Sequence, residues 1–309
     1  MKFGVARLAG RPGLFRRLLE VLLFCVLSTV PVAQAQDAAS LKARHAALRG
    51  PLASNQFKRP LYLESTEKSG DLRGDIYARV EQPYAVIGAA LQDMNHWCDI
   101  LMLHLNVKSC RASSPRAGDT LSLNIGRKFD QPLADAYLFE FLYKVEASGP
   151  DYLQVALNAE KGPLGTSHYR IMLEAVALDA QSSFLHMSYS YASGMAARMA
   201  TYVYLATTGR DKVGFSIVGH QANGQPVFIR STRGVVERNS MRCYLAIEAY
   251  LGALSAPSTE QLEKRLNDWY AGIERYPVQL HEMERAAYLD MKHKEIQRQQ
   301  ALPSVAAAK

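Results

Sequence analysis

Apolar and polar residues alternate in two rhythms along this chain. Over residues 74–81, Ile76, Ala78 and Val80 take turns with Tyr77, Arg79 and Glu81, the period of two that a half-buried strand requires. Pro83 then opens a helical stretch, since proline suits a first helical turn, and Ala85, Val86, Ala89, Ala90 and Met94 give that stretch an apolar face ending near Asp93 and Trp97. Strand-like runs follow over residues 106–111, 120–127, 136–146, 152–160, 168–178 and 184–191, broken by turn formers such as Pro115, Gly118, Pro132, Gly149-Pro150 and Gly162-Pro163. Consecutive strands with short polar links predict an antiparallel meander rather than a parallel sheet with crossover helices, which excludes a dinucleotide-binding fold.

Residues 195–208 read as a helix, and residues 212–218 and 225–230 as a hairpin around Ala222-Asn223-Gly224, because Asn-Gly favours a tight turn. Helical spacing returns over residues 234–254, where Val236, Met241, Tyr244, Ile247, Leu251 and Leu254 form one stripe. Pro257-Ser258-Thr259-Glu260 ends that helix and starts another. In the tail, Leu262, Leu266, Trp269, Ile273, Tyr276, Leu280, Met283 and Ala287 step alternately by four and three, a seam that packs one helix on another. Pro277 splits the tail into two expected helices, residues 259–275 and 277–299, since proline breaks the helix before it. The seam either folds back on the chain's own domain or pairs with a second copy; fold-back, and hence a monomer, is the expectation, because helices normally bury their stripe on their own core.

The first 35 residues carry Lys2, Arg7, Arg11, Arg16 and Arg17, then an apolar run from Val21 to Val30, then Pro31 and Ala33-Gln34-Ala35. A charged start, a short apolar stretch and a small-x-small site in that order predict a secretory leader cleaved before Gln36. The alternative is a retained anchor, but the run is half the length that spans a bilayer. Without the leader, Lys+Arg fall from 36 to 31 and Asp+Glu from 29 to 28, a net charge of +3 in place of +7. So mild a balance, with no dense basic stripe, argues against a nucleic-acid partner.

An exported chain keeps Cys98, Cys110 and Cys243 in a compartment that favours disulfides. Cys98 and Cys110 are the expected bridge across a helix-to-strand turn. Two buried thiols, or a metal held by His96, Cys98 and His104, are the alternatives, the second disfavoured because the spacing fits no tight zinc pattern. No metal and no cofactor is expected: Walker, His-Glu-x-x-His, paired Cys-x-x-Cys and Gly-x-Ser-x-Gly motifs are absent.

The order of strand, helices, antiparallel strands and long C-terminal helix over residues 75–254 resembles the START-like (SRPBCC) helix-grip superfamily of lipid-transfer and polyketide cyclase-like domains. The resemblance rests on architecture, with residues 195–230 as an insertion and the helical tail as an addition. It implies an α+β fold in which a curved antiparallel sheet wraps the long helix and leaves an elongated apolar cavity. The expected organisation is a leader (1–35), an adaptor (36–73), the helix-grip domain (74–256), a helical tail (257–300) and an unstructured end (301–309).

Strand alternation puts Tyr137, Phe139, Phe141 and Tyr143 on one face of the 136–146 strand, and Met187, Tyr189 and Tyr191 on one face of the last strand. Together with Tyr244, Ile247 and Leu251 of the helix they are the candidate lining. Plain core packing is the simpler use of such faces, but so many tyrosine hydroxyls would each need a partner in a dry core. Arg170 and Glu174, and likewise His186, Ser188 and Ser190, either form a solvated outer face or supply a group, Arg170 foremost, that orients a polar ligand head. The reading is an exported protein that binds an apolar or amphipathic, lipid-like small molecule. A cyclase- or hydratase-like enzyme using the same cavity, or a partner-binding protein with a filled cavity, are the other classes.

Overall fold

The computed structural model describes residues 37–115, 118–207 and 209–301. The expected leader and the expected unstructured end, beyond residue 301, lie outside the described residues.

Two short helices, α1 (Ala38–Ala47) and α2 (Arg49–Ala53), precede a hairpin of β1 (Leu61–Lys68) and β2 (Asp71–Val80). Residues 36–73 are therefore more than an adaptor: β1 pairs along its whole length with β2. Its pattern of Leu61 and Leu63 against Tyr62 and Glu64 carried the strand signal, which the surrounding prolines and basic residues obscured. The helical stretch after Pro83 divides into α3 (Tyr84–Leu91) and α4 (Met94–Leu101), because Asp93 caps the second helix by accepting the Asn95 N–H.

The strands β3 (Val107–Ser113), β4 (Thr120–Ile125), β5 (Tyr137–Ser148), β6 (Tyr152–Lys161), β7 (Thr166–Ala177) and β8 (Ser183–Ser193) follow as the meander the pattern predicts. They join the first hairpin in one antiparallel sheet of eight strands, in the order β1-β2-β8-β7-β6-β5-β4-β3. Register shifts at Val107/Ser109, Val145/Ala147 and Ser167/Arg170 mark bulges, which bend strands and curl a sheet. Helix α5 (Met195–Ala206), the small hairpin β9 (Ile217–His220) and β10 (Pro226–Phe228), and the long helix α6 (Ser231–Ala253) come next.

Helix α6 lies in the hollow of the sheet, directly against β1, β2 and β8. Gly74 of β2 makes the approach possible: a Cβ there would collide with Ser240 Oγ of α6, which instead donates to the Gly74 carbonyl at 3.3 Å. Val236, Met241, Tyr244, Ile247 and Leu251 are all buried as their stripe predicts, but so are Glu237, Arg238, Ser240 and Arg242. A helix gripped on nearly every side buries its polar face too, and each such group then needs partners. Glu237 finds four, accepting from Ser65 Oγ, the Phe215 and Ser216 N–H groups and Ser216 Oγ.

The tail forms α7 (Gln261–Glu274), α8 (Pro277–Leu280) and α9 (Arg285–Ala301). Leu266, Trp269, Ile273 and Leu280 of the seam are buried, α7 packs along α6, and Trp269 Nε1 donates to the Arg242 carbonyl at 3.2 Å. The expected second helix is interrupted at residues 281–284: His281 turns to ψ 130° and Glu282 points inward to a group of cations described below. After the break the buried positions are Tyr288, Met291, Lys292 and Glu295, while Ala287 is exposed. Helix α9 covers the sheet edge at β3, where Gln299 Oε1 accepts the Cys110 N–H at 2.7 Å; an edge strand left bare would offer that group to another chain.

Candidate ligand cavity

Because α6 touches β1, β2 and β8, the other half of the curled sheet stands off from it. The gap is a cavity of about 180 Å³. Its body is apolar, formed by Trp97, Ile100 and Leu101 of α4, Leu123 and Ile125 of β4, Phe139 and Phe141 of β5, Ile171 of β7, and Ala246 and Ile247 of α6. Its polar lining comes from His104, Asn106, Tyr169, Tyr189, Asn239 and Cys243. A second space of about 370 Å³ opens beneath α5, bounded by Tyr191, Ala197, Thr201, Tyr204 and Val235, and shares Pro163, Tyr169, Tyr189 and Asn239 with the first.

The disulfide between Cys98 and Cys110, Cα atoms 5.2 Å apart, ties α4 to β3 and so fixes the wall that carries Trp97, Ile100 and Leu101. The alternative metal set does not assemble: Cys98 is bridged, His96 Nδ1 sits 2.7 Å from the Ala90 carbonyl, and His104 lines the cavity. Among the described residues no group of three or more His, Cys, Asp or Glu is placed to hold a metal ion.

His104, Tyr189 and Cys243 lie deep in the protein yet keep accessible area, and that area faces the cavity. Desolvation dominates their titration. It drives the His104 imidazole well below its usual range, helped by the positive charges of Arg242, Lys292, Lys128 and Lys108. It pushes the Cys243 thiol up to about 12 and the Tyr189 phenol well above its normal range. All three are neutral at physiological pH. Tyr169 is raised by burial as well and donates to Thr166 Oγ1 at 2.9 Å.

Of the residues expected to line a cavity, the structure brings Phe139, Phe141, Tyr189 and Ile247 together there and places Tyr191 in the adjoining space. Tyr143, Met187, Tyr244 and Leu251 share the same inner side but are packed as core. Tyr143 reaches the Leu91 carbonyl of α3, and the Tyr244 hydroxyl faces Arg59, which itself pairs with Glu248. Tyr137 is 42% exposed at the start of β5. Arg170 is on the opposite face of β7, where it reaches Asn158 Oδ1 at 3.4 Å, so it cannot orient a head in this cavity. The reason is parity: Tyr169, Ile171 and Leu173 point inward on β7, which sends Arg170, Met172 and Glu174 outward.

That outer face is not solvated as expected. Glu174 and His186 are each only 2% exposed and Asp75 6%, on the face covered by α1 and α2, where Leu41, Leu52 and, between the two helices, Leu48 cluster with Tyr77, Tyr152, Val176 and Phe184. His186 bridges the two carboxylates, Nδ1 to Glu174 at 2.6 Å and Nε2 to Asp75 at 2.8 Å. Tyr152 donates to Glu174 at 2.7 Å, Arg73 forks onto Asp75, and the Tyr77 ring stacks on the imidazole at 4.3 Å. Burial disfavours a charged His186, but the hydrogen bonds its ring donates to Asp75 and Glu174 outweigh it and raise its pKa.

The cavity residues that sequence reasoning missed include Trp97, His104, Asn106, Tyr169, Asn239 and Cys243. Asn239, Cys243 and Ala246 sit at steps of four and three on α6, a face visible in the spacing had small and polar residues been given weight.

No family model and no curated protein matches the chain. Among solved structures, it is similar to a conserved protein from Geobacillus kaustophilus, at 14% identity over 45% of this chain and 86% of that one, with a TM-score of 0.31. A norcoclaurine synthase from Thalictrum flavum is similar at 14% identity over 48% and 88%, TM-score 0.32. The Zhui aromatase/cyclase from Streptomyces sp. R1128 is similar at 12% identity over 70% and 96%, TM-score 0.31. The chain's own architecture is α+β, an antiparallel sheet of eight strands curved around a long helix near its C-terminal end.

Proposed function

We propose that this chain is an exported binding protein for an apolar or amphipathic small molecule, held between the sheet and α6. The observation that carries the reading is a predominantly apolar cavity between sheet and helix whose deep titratable lining groups, His104, Cys243 and Tyr189, are all driven to their neutral forms. Ligand sites are mostly apolar with a few polar groups that set orientation, and this lining has that composition. An enzyme would need an acid, base or nucleophile with a pKa matched to its task; a thiol pushed up to about 12 and a phenol well above its normal range are weak nucleophiles at neutral pH, which favours binding over covalent catalysis. The inner space is smaller than the roughly 300–1,000 Å³ of typical ligand pockets, so a single chain or a one- or two-ring aromatic suits it better than a diacyl lipid. Longer ligands would extend into the space beneath α5.

Export is supported by the order of charged, apolar and small residues in the first 35 positions and by the Cys98–Cys110 bridge, which favours an oxidising compartment. No helix among the described residues is long and apolar enough to cross a membrane. The burial of the tail seam on α6 supports a monomer. Native mass spectrometry of protein purified from its producing cells tests the binding reading: a co-purifying small molecule released by organic solvent is expected. A mass equal to the bare chain, together with no uptake from a panel of apolar compounds, would refute it.

A further inference from the structure

Two groups of cations flank the cavity, and they differ in how fully each is satisfied. At the β3 edge, Lys108 and Lys292 share Glu295, all three fully buried. Lys108 Nζ also reaches the Leu105 carbonyl at 3.0 Å and Met291 Sδ at 3.5 Å, and Lys292 Nζ the His104 and Val107 carbonyls at 2.7 and 2.8 Å. Each ammonium has three donors, and each has three acceptors. That group is complete, and it pins α9 to the domain.

The second group is not complete. Arg242 of α6, Lys128 from the loop after β4 and Lys212 from the segment before β9 converge on Glu282, at 2.7, 2.7 and 3.6 Å. Three cations face one carboxylate, and Glu282 is drawn out of helical geometry to meet them. Arg242 is 4% exposed, and its Nε, like those of Arg44, Arg265 and Arg298, finds no acceptor among the described residues. Burial holds the Arg242 and Lys128 pKa values below their usual ranges, and Glu282 only partly offsets it. A buried donor without a partner carries a cost unless something else satisfies it, and the half-buried Lys128 and Lys212 add positive charge that one carboxylate does not balance.

This group stands one layer behind the polar end of the cavity, next to its lining residues and not itself among them. Arg242 Nη1 lies 3.5 Å from Oδ1 of Asn239, a lining residue. The loop carrying Lys128 is tied to another, Asn106, by paired hydrogen bonds between Asn106 and Gly126 at 2.6 and 2.7 Å. We infer that Arg242, Lys128 and Lys212 form the head-group end of the site, and that the ligand is an amphiphile with an anionic head, a carboxylate or phosphate. The inference rests on the binding function proposed above and narrows its ligand class. A planar guanidinium suits either oxyanion, and the neutral His104, Asn106 and Asn239 between the cations and the apolar body offer donors without adding negative charge.

Isothermal titration calorimetry of the mature chain in chloride-free buffer, with decanoate, decyl phosphate and 1-decanol as probes, tests it. At least one anionic probe should bind about tenfold or more tighter than decanol, the scale of one charge-assisted hydrogen bond, and which of the two wins identifies the head. K128Q should weaken the anionic probes about three- to tenfold and leave decanol unchanged. R242Q should weaken them further, and K128Q, at a partly exposed side chain, keeps the test open should R242Q fail to fold. Equal affinity for decanol and both anions, or unchanged binding of the anions by K128Q, would overturn the anionic head while leaving the cavity as a binding site. Inorganic phosphate that raises the melting temperature as much as decanoate does would also overturn it, by separating the cations from the cavity. Failure of all three probes to bind would overturn the anionic amphiphile, and with no uptake of the wider apolar panel either it would refute the binding function itself.

Discussion

The two faces of the same sheet solve opposite problems. On the inner face, Phe139, Phe141, Ile171 and Tyr189 point at α6 across a gap, so large apolar side chains border a cavity. On the outer face, Asp75, Glu174 and His186 are buried without any such gap under α1 and α2, and every ring nitrogen and carboxylate has a partner. The polar side is the filled one and the apolar side the hollow one. Charge buried beneath a helix must be saturated to be tolerated, whereas apolar groups facing a cavity lose only dispersion contacts. Room for a ligand therefore falls on the side where emptiness costs least.

If this contrast is right, the largest effect should come from the filled face. His186→Phe leaves Asp75 and Glu174 buried without the cation between them and should cost about 3–5 kcal/mol, the usual result of breaking a buried charge pair; urea unfolding of the variant reads it. A loss below about 1 kcal/mol would mean the network is dispensable. Next comes the bridge that fixes the cavity wall. Reduction of Cys98–Cys110, which are 12 residues apart, should cost about 3 kcal/mol, seen as a lower denaturation midpoint, and should weaken ligand binding by freeing α4. On the hollow side, Ile171→Ala should cost about 2 kcal/mol, the low end for such truncations, and less than Leu173→Ala two positions along the same strand, where the side chain is fully enclosed. Equal losses at the two positions would show that the gap does not relieve packing.

The smallest effect is in pH. His186 has its pKa raised on folding, so its contribution is fully present below about 6.5 and is lost as pH rises through the folded value. Wild type should therefore lose stability between pH 6 and pH 8.5 relative to His186→Phe, which lacks the group. Asp75, Glu174, Arg73, Tyr77 and Tyr152 surround the imidazole in the wild type and the phenyl ring in the variant, so the difference between the two curves reads His186 together with its effect on the two carboxylates. Parallel curves would place the proton elsewhere.

The strands, their antiparallel order and the long helix were legible because alternation and helical spacing are strong where one face is buried. β1 escaped notice among prolines and charges, and the split of the tail at residues 281–284 escaped it because Glu282 leaves the helix for a tertiary partner, Arg242, 40 residues away. The site was half legible. Phe139, Phe141, Tyr189 and Ile247 stood out as large apolar residues on the correct faces, whereas Asn239 and Cys243 are too small and ordinary to signal a cavity. Arg170 was misread because a charged residue in a strand suggests a ligand contact until the parity of its neighbours, Tyr169 and Ile171, is fixed. The buried outer network was invisible for a different reason. Its cover, α1 and α2, has a weak apolar pattern, and nothing local tells Glu174 that a helix lies over it.

The most direct measurement concerns the hollow itself. Cys243 faces the cavity from α6 and is free of the disulfide, so Cys243→Phe should fill the space with a stability change within about 1 kcal/mol. Fluorescence titration with an apolar probe, 1-aminoanthracene, should show saturable binding to the wild type and at least a thirtyfold loss, about 2 kcal/mol, in the filled variant. Binding that is equal in the two proteins would contradict the account, because the ligand would then lie somewhere other than between the sheet and α6.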